Sequence, residues 1–226
     1  MSGAQLIALA EQHGAVTLLP FTDVSGTTAT DEGRFPDGAT YGNAVILGRT
    51  PPNGFAGAVD LPGNAGGSVV NTKSIIRDNG NWWTPFTLEL VAIIDGPGSV
   101  GDTTYATLSA NDSAYRFLVH ATTGAVIIQG AHGNTTAAAG AVPVGSWFHF
   151  VWLSYGYGHT HKVYVNGIQV TLGGVTTNGM LSAVQNLLGS FGGAAYFLNG
   201  GLAFAASYGT LLTPAKIAEH FAVTGL

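Results

Sequence analysis

The chain has 226 residues and a formal net charge of −5, with 46% hydrophobic and only 8% charged residues, against about 25% charged in ordinary soluble domains. Its seven Lys and Arg are scattered singly at Arg34, Arg49, Lys73, Arg77, Arg116, Lys162 and Lys216, so no basic patch can neutralise a phosphate backbone, and nucleic acid is excluded as a partner. The absence of cysteine rules out disulfides, thiolate metal sites and thiol catalysis.

In chain order, the first ten residues have no basic n-region, and their apolar run is broken by Glu11, Gln12 and His13, so no Sec signal is expected. No later stretch has the length to cross a bilayer, and no membrane partner is expected. Ser2 and Gln5 have capping-box spacing before Leu6, Ile7, Leu9 and Ala10, which predicts an opening helix within 1–14, closed at Gly14. Period-two, β-rich runs separated by glycine turns then predict strands over 16–20, 44–47, 58–61, 86–94, 103–109, 115–120, 125–129, 148–154, 161–165, 168–171 and 201–208. Asn166-Gly167 is a type I′ hairpin signal that pairs Val163–Val165 with Ile168–Val170. The Gly/Ala/Thr-rich stretch 130–140 and the weakly patterned stretch 178–193 read as loops. Thr213, Pro214 and the stripe Ile217, Ala218 and Phe221 predict a closing helix over 213–222. No linker or repeat divides the chain, so residues 1–226 are expected to form one domain.

Several segments in this order resemble a known family. Ser25-Gly26-Thr27-Thr28-Ala29-Thr30-Asp31, Asp37-Gly38-Ala39-Thr40-Tyr41 and Ala44-Val45-Ile46-Leu47-Gly48 look like the opening of the laminin-G-like, or concanavalin-A-like lectin/glucanase, domains. Ala58-Val59-Asp60-Leu61-Pro62-Gly63 resembles a family strand ending in a glycine turn, and Phe86-Thr87-Leu88-Glu89-Leu90 its central strand. Trp147-Phe148-His149-Phe150-Val151 resembles the Trp-x-His strand, Lys162-Val163-Tyr164-Val165-Asn166-Gly167 the hairpin, and the segment from Leu212 to Phe221 the closing helix.

The resemblance covers nearly the whole chain and implies an all-β, two-sheet antiparallel jelly-roll sandwich with short N- and C-terminal helices. The segment from Gly201 to Tyr208 lacks the acidic pair often found in that strand of the family. Similar domains with a helical lead-in and no secretion signal occur in tailed-phage structural proteins. The expectation is therefore a non-enzymatic virion subunit on the capsid or tail surface, a homo-oligomer whose partners are other virion subunits. The alternative is a carbohydrate-binding module for adsorption to cell-surface glycans. Sparse charge suits the first reading, because the exterior must be neutral Gly, Thr, Ser and Asn or be covered by neighbours.

Each candidate chemistry has a plain structural counterpart. A retaining glucanase needs two carboxylates about 5–5.5 Å apart, contributed on a strand by alternate acidic residues. Glu89 stands alone between Leu88 and Leu90, so it reads as structural and no catalytic residue is assigned. His159-Thr160-His161 shares one face if extended but lacks further ligands, and no metal site is assigned. His149 matches a position of the resembling family that looks structural. Asp95 and Asp102 bracket a glycine-rich turn of the kind that can hold calcium; calcium is weighed there and no cofactor is assigned. Trp82, Trp83, Tyr155 and Tyr157 are the candidate carbohydrate-binding residues, because sugars stack on exposed aromatic faces beside amide groups. The competing reading places the same rings in the core or at a subunit contact.

Overall fold

Alternation along each strand sends one set of side chains inward and the other outward, and here both sets are largely apolar on the central strands. The computed structural model describes residues 3–34, 39–64, 69–70, 85–111, 115–130, 133–155, 161–173, 186–190 and 196–226. In chain order the elements are α1 (Gly3–Gln12), β1 (Ala15–Leu19), β2 (Thr28–Ala29), β3 (Ala39–Tyr41), β4 (Ile46–Leu47), β5 (Val59–Pro62), β6 (Val69–Val70), β7 (Phe86–Gly96) and β8 (Tyr105–Asn111). They continue with β9 (Tyr115–His120), β10 (Val126–Gly130), β11 (Gly133–Ala137), β12 (Phe148–Ser154), β13 (Lys162–Val165), β14 (Ile168–Val170), β15 (Asn186–Leu188), β16 (Asn199–Tyr208) and α2 (Pro214–Thr224).

Sheet I has the order β14-β13-β12-β7-β16-β5-β4, with β1 also paired to β16; sheet II has the order β11-β10-β9-β8-β15-β6-β3-β2. The pairings are antiparallel. The architecture is the all-β jelly-roll sandwich expected from the sequence.

Leu88, Leu90, Phe148, Phe150 and Trp152 of sheet I share the inner core with Phe117, Val119, Val126 and Ile128 of sheet II. Phe117 meets Phe150 edge-on at 4.5 Å between centroids and lies 5.8 Å from Trp152, an aromatic joint between the sheets. The opposite side chains of sheet I, including Val91, Val151, Leu153, Phe204 and Tyr208, form a second apolar layer with Leu6 and Ala10 of α1 and Ile217 of α2. A register shift between Leu202 and Phe204 lets both Ala203 and Phe204 join this outer layer, as an extra residue at a bulge does. The Asn166-Gly167 turn has φ values of 51° and 74° and pairs Val165 with Ile168 as expected.

Two stretches read as loops contain strands. Gly133–Ala137 pairs along its length with β10, and Asn186–Leu188 lies between β6 and β8. In the first, Thr135 and Ala137 are buried while Asn134 and Thr136 are exposed, so the period of two is present but carried by residues too small and polar to announce a strand. The short strands Thr28–Ala29, Ala39–Tyr41 and Val69–Val70 were also not expected; at two or three residues, a strand is too short to show a period.

Helix α2 starts where sequence chemistry puts it: the Thr213 hydroxyl accepts from the Lys216 amide at 3.3 Å and Pro214 follows. Replacing Thr213 by Ala is expected to cost about 1 kcal/mol in urea unfolding, the usual value of an N-cap.

Candidate functional site

Glu89 projects from the outer face of β7, between Thr87 and Val91, and is fully buried. Its carboxylate meets His149 Nε2 at 2.6 Å, His220 Nδ1 at 2.9 Å and the Tyr208 hydroxyl. A carboxylate only accepts, so all three partners donate to it. Burial pushes the Glu89 carboxyl up, and the hydrogen bonds from His149 and His220 outweigh it, holding the group below the usual carboxylate range. Burial and the adjacent Glu89 charge push the Tyr208 phenol well above its ordinary value. The constellation joins β7, β12, β16 and α2, and none of its side chains except that of the half-buried neighbour His13 reaches solvent. It fastens α2 to sheet I and offers a substrate no access.

The outer face of sheet II is different. Inward-pointing Phe117, Val119, Val126 and Ile128 alternate with an opposite face on which Arg116, His120, Ile127 and Gln129 are half-buried and Leu118 is buried. Arg116 on β9 stands opposite Gln129 on β10, and Gln129 stands opposite Asn134 on β11. This register makes a row of hydrogen-bonding side chains about 10 Å long across three strands. Arg116 Nη1 donates to Gln129 Oε1 at 3.1 Å, and its guanidinium carbon lies 5.7 Å from the Tyr196 ring centroid. Tyr105 packs edge-on against both Tyr196 and His120, at 6.4 and 5.4 Å. Tyr196 is held at φ 55° while its carbonyl accepts from the Thr107 amide, a left-handed geometry uncommon for a bulky residue. Planar amides, a guanidinium and tyrosine rings thus share one partly open face, the mixture that binds sugar hydroxyls and sugar C–H faces.

Trp82, Trp83 and Tyr157 lie outside the described residues. Tyr155 follows β12 and packs against the outer layer of sheet I, with the Lys162 ammonium 5.4 Å from its ring centroid, so it is not part of the sheet II face. His159 also lies outside the described residues, and His161 is buried edge-on against Trp152. In the turn weighed for calcium, Asp95 is bonded to the Arg49 guanidinium at 2.7 and 2.9 Å, while Asp102 accepts from the Thr104 amide. Among the described residues no group of three or more His, Asp or Glu is placed to hold a metal.

Sequence reasoning missed the sheet II face. The alternation placing Arg116 and Gln129 on a common face was readable from their strands, but Asn134 joins them only through β11, and Tyr196 only through the tertiary path of the chain.

No family model matches the sequence. No curated protein matches it. Many solved structures share the fold. The botulinum neurotoxin type G receptor-binding domain aligns with TM-score 0.65 and 11% identity over 93% of this chain and 51% of that one. A botulinum neurotoxin type C structure, described by its cell entry depending on two ganglioside molecules, aligns with TM-score 0.65 and 12% identity over 98% of this chain and 53% of that one. Trypanosoma rangeli sialidase, in complex with the inhibitor DANA, aligns with TM-score 0.63 and 15% identity over 92% of this chain and 32% of that one. The chain therefore spans about half the length of the toxin domains and a third of the sialidase, and what it shares with them is the lectin-like β-sandwich.

Proposed function

We propose that this protein is a non-enzymatic, lectin-like recognition module that binds a cell-surface glycan on the outer face of sheet II. The row Arg116, Gln129 and Asn134 beside the Tyr105–Tyr196 pair carries the reading. The ganglioside-dependent cell entry named for one fold neighbour supports glycan recognition as a use of this architecture. The sialidase neighbour makes hydrolysis the competing activity, and the buried state of Glu89, bonded by its three donors, supports binding without turnover.

The test is a glycan array probed with the intact chain, followed by titration of the best ligand. Tyr196→Ala and Arg116→Ala are each expected to weaken binding at least about tenfold, equivalent to about 1.4 kcal/mol. Should Trp83→Ala or Tyr157→Ala abolish binding while those variants retain it, the site moves to the aromatic residues singled out in the sequence. Release of sugar from the bound ligand would overturn the non-enzymatic reading.

The proposed setting is the surface of a virus particle, as a capsid- or tail-associated homo-oligomer among other virion subunits. The 8% charged composition supports it. Light scattering across a wide concentration range should return a closed oligomer; a monomer throughout would remove the support for assembly.

A further inference from the structure

The buried Glu89 cluster continues outward through one more hydrogen bond. His220 Nε2 lies 2.7 Å from Nδ1 of His13, which follows the end of α1. The two rings are parallel to within 6° with centroids 5.0 Å apart, the geometry of an in-plane N–H···N bond. Because His220 Nδ1 donates to Glu89, the contact between the two imidazoles has room for a single hydrogen. The pair can take one extra proton on the outward side of His13 with this contact kept, but burial and the Lys216 charge already disfavour that proton in the closed form. A second would set two N–H groups against each other at 2.7 Å, a like-charge contact that the closed arrangement cannot hold.

We propose that His13 and His220 form an acid-operated latch: the second proton taken up by the pair parts α1 from α2 while the sandwich stays folded. The groups facing the pair set its proton balance. Glu89 reaches it from β7, backed by His149 from β12 and Tyr208 from β16. Lys216 and Glu219 of α2 act on His13 with opposite signs. Burial, then Lys216 and then His220 hold His13 below its ordinary value of 6.5, against the opposing pull of Glu219 and Glu89.

A lowered folded-state value means that the open state binds protons more readily. The closed form is thus favoured above pH 6.5 and loses ground as pH falls below it. Opening releases Leu6 and Ala10 from the layer they share with Leu18, Leu212 and Ile217, uncovering an apolar surface at acid pH.

Hydrogen exchange of the intact chain between pH 7.5 and 5.0, corrected for intrinsic rates, tests the latch. Protection of α1 amides should fall by up to about tenfold per pH unit below the first protonation, as uptake of one proton requires, while β7 and β12 remain protected. In His13→Ala the second imidazole is gone, and α1 protection should no longer depend on pH. Nitrogen-15 spectra of the wild-type protein should show the His13 imidazole taking up its proton below its ordinary value of 6.5, which needs no variant. The latch is overturned by any of three results: α1 and β7 losing protection together, His13→Ala keeping the wild-type pH slope, or His13 taking up its proton at or above its ordinary value of 6.5.

Discussion

Glu89→Gln is expected to destabilise the fold by about 2–4 kcal/mol, since leaving a buried donor unsatisfied costs about 1–3 kcal/mol and an amide cannot accept from all three donors at once. The carboxylate accepts from His149, His220 and Tyr208 at once. An amide of the same shape keeps one accepting oxygen and turns an NH2 group toward donors that have nowhere else to go. The Tyr208 hydroxyl can reverse and accept, but the histidines are fixed by their ring contacts: His149 stacks near Phe221 and His220 is bonded to His13. Urea unfolding followed by tryptophan fluorescence at neutral pH measures the loss. A change below about 1 kcal/mol would mean that apolar packing alone holds α2 on the sheet. The variant also tests the anion by pH. Because the folded state holds Glu89 below its ordinary value of 4.5, its contribution is present above that pH and fades as pH falls beneath it. The wild type should lose this part of its stability under acid, and Glu89→Gln should not.

The sequence carried the sandwich well because its long strands are strongly patterned. Phe148, Phe150 and Trp152 alternate with His149, Val151 and Leu153, and both sets are buried because the first meets sheet II and the second meets the helices. The same double burial hides function. A Glu or His on such a strand looks like any other outward residue until the covering helix is placed, and the partners of Glu89 lie 60, 119 and 131 positions away along the chain. No spacing rule reaches that far. Glu89 and His149 share one buried hydrogen bond, whereas His220 has no Ser or Asp at a recognisable spacing and, on a short helix, no pattern of its own. The sheet II face was harder still: its row depends on β11, whose Gly, Asn, Thr and Ala residues look like a loop, and on Tyr196, which lies far along the chain from Arg116 and meets it only in the folded structure.

Gly200→Ala tests the central pairing of sheet I, and its cost is expected to be about 3 kcal/mol or more, at the upper end of overpacking effects. A Cβ at Gly200 would lie 1.9 Å from the Ile93 carbonyl oxygen and 3.1 Å from the Ile94 Cα. These are backbone atoms of β7, the strand between β12 and β16, so no side chain can turn aside to make room. The register between β16 and β7 already shifts between Asn199 and Gly200, which brings the two backbones together there. Relief requires β16 to move away from β7, and that displacement would loosen Gly201 as well, across which the Arg49 side chain runs to reach Asp60 and Asp95. Gly209→Ala is the matched control: it lies just past the same strand, and its added Cβ would meet only the Val16 Cγ2 at 3.9 Å, so its effect should stay within about 0.5 kcal/mol. Thermal unfolding of the pair separates the two causes. Equal behaviour would mean that β16 has slack where the backbone geometry allows none, whereas a loss confined to Gly200→Ala locates the constraint at the β7 backbone, the strand that also carries Glu89.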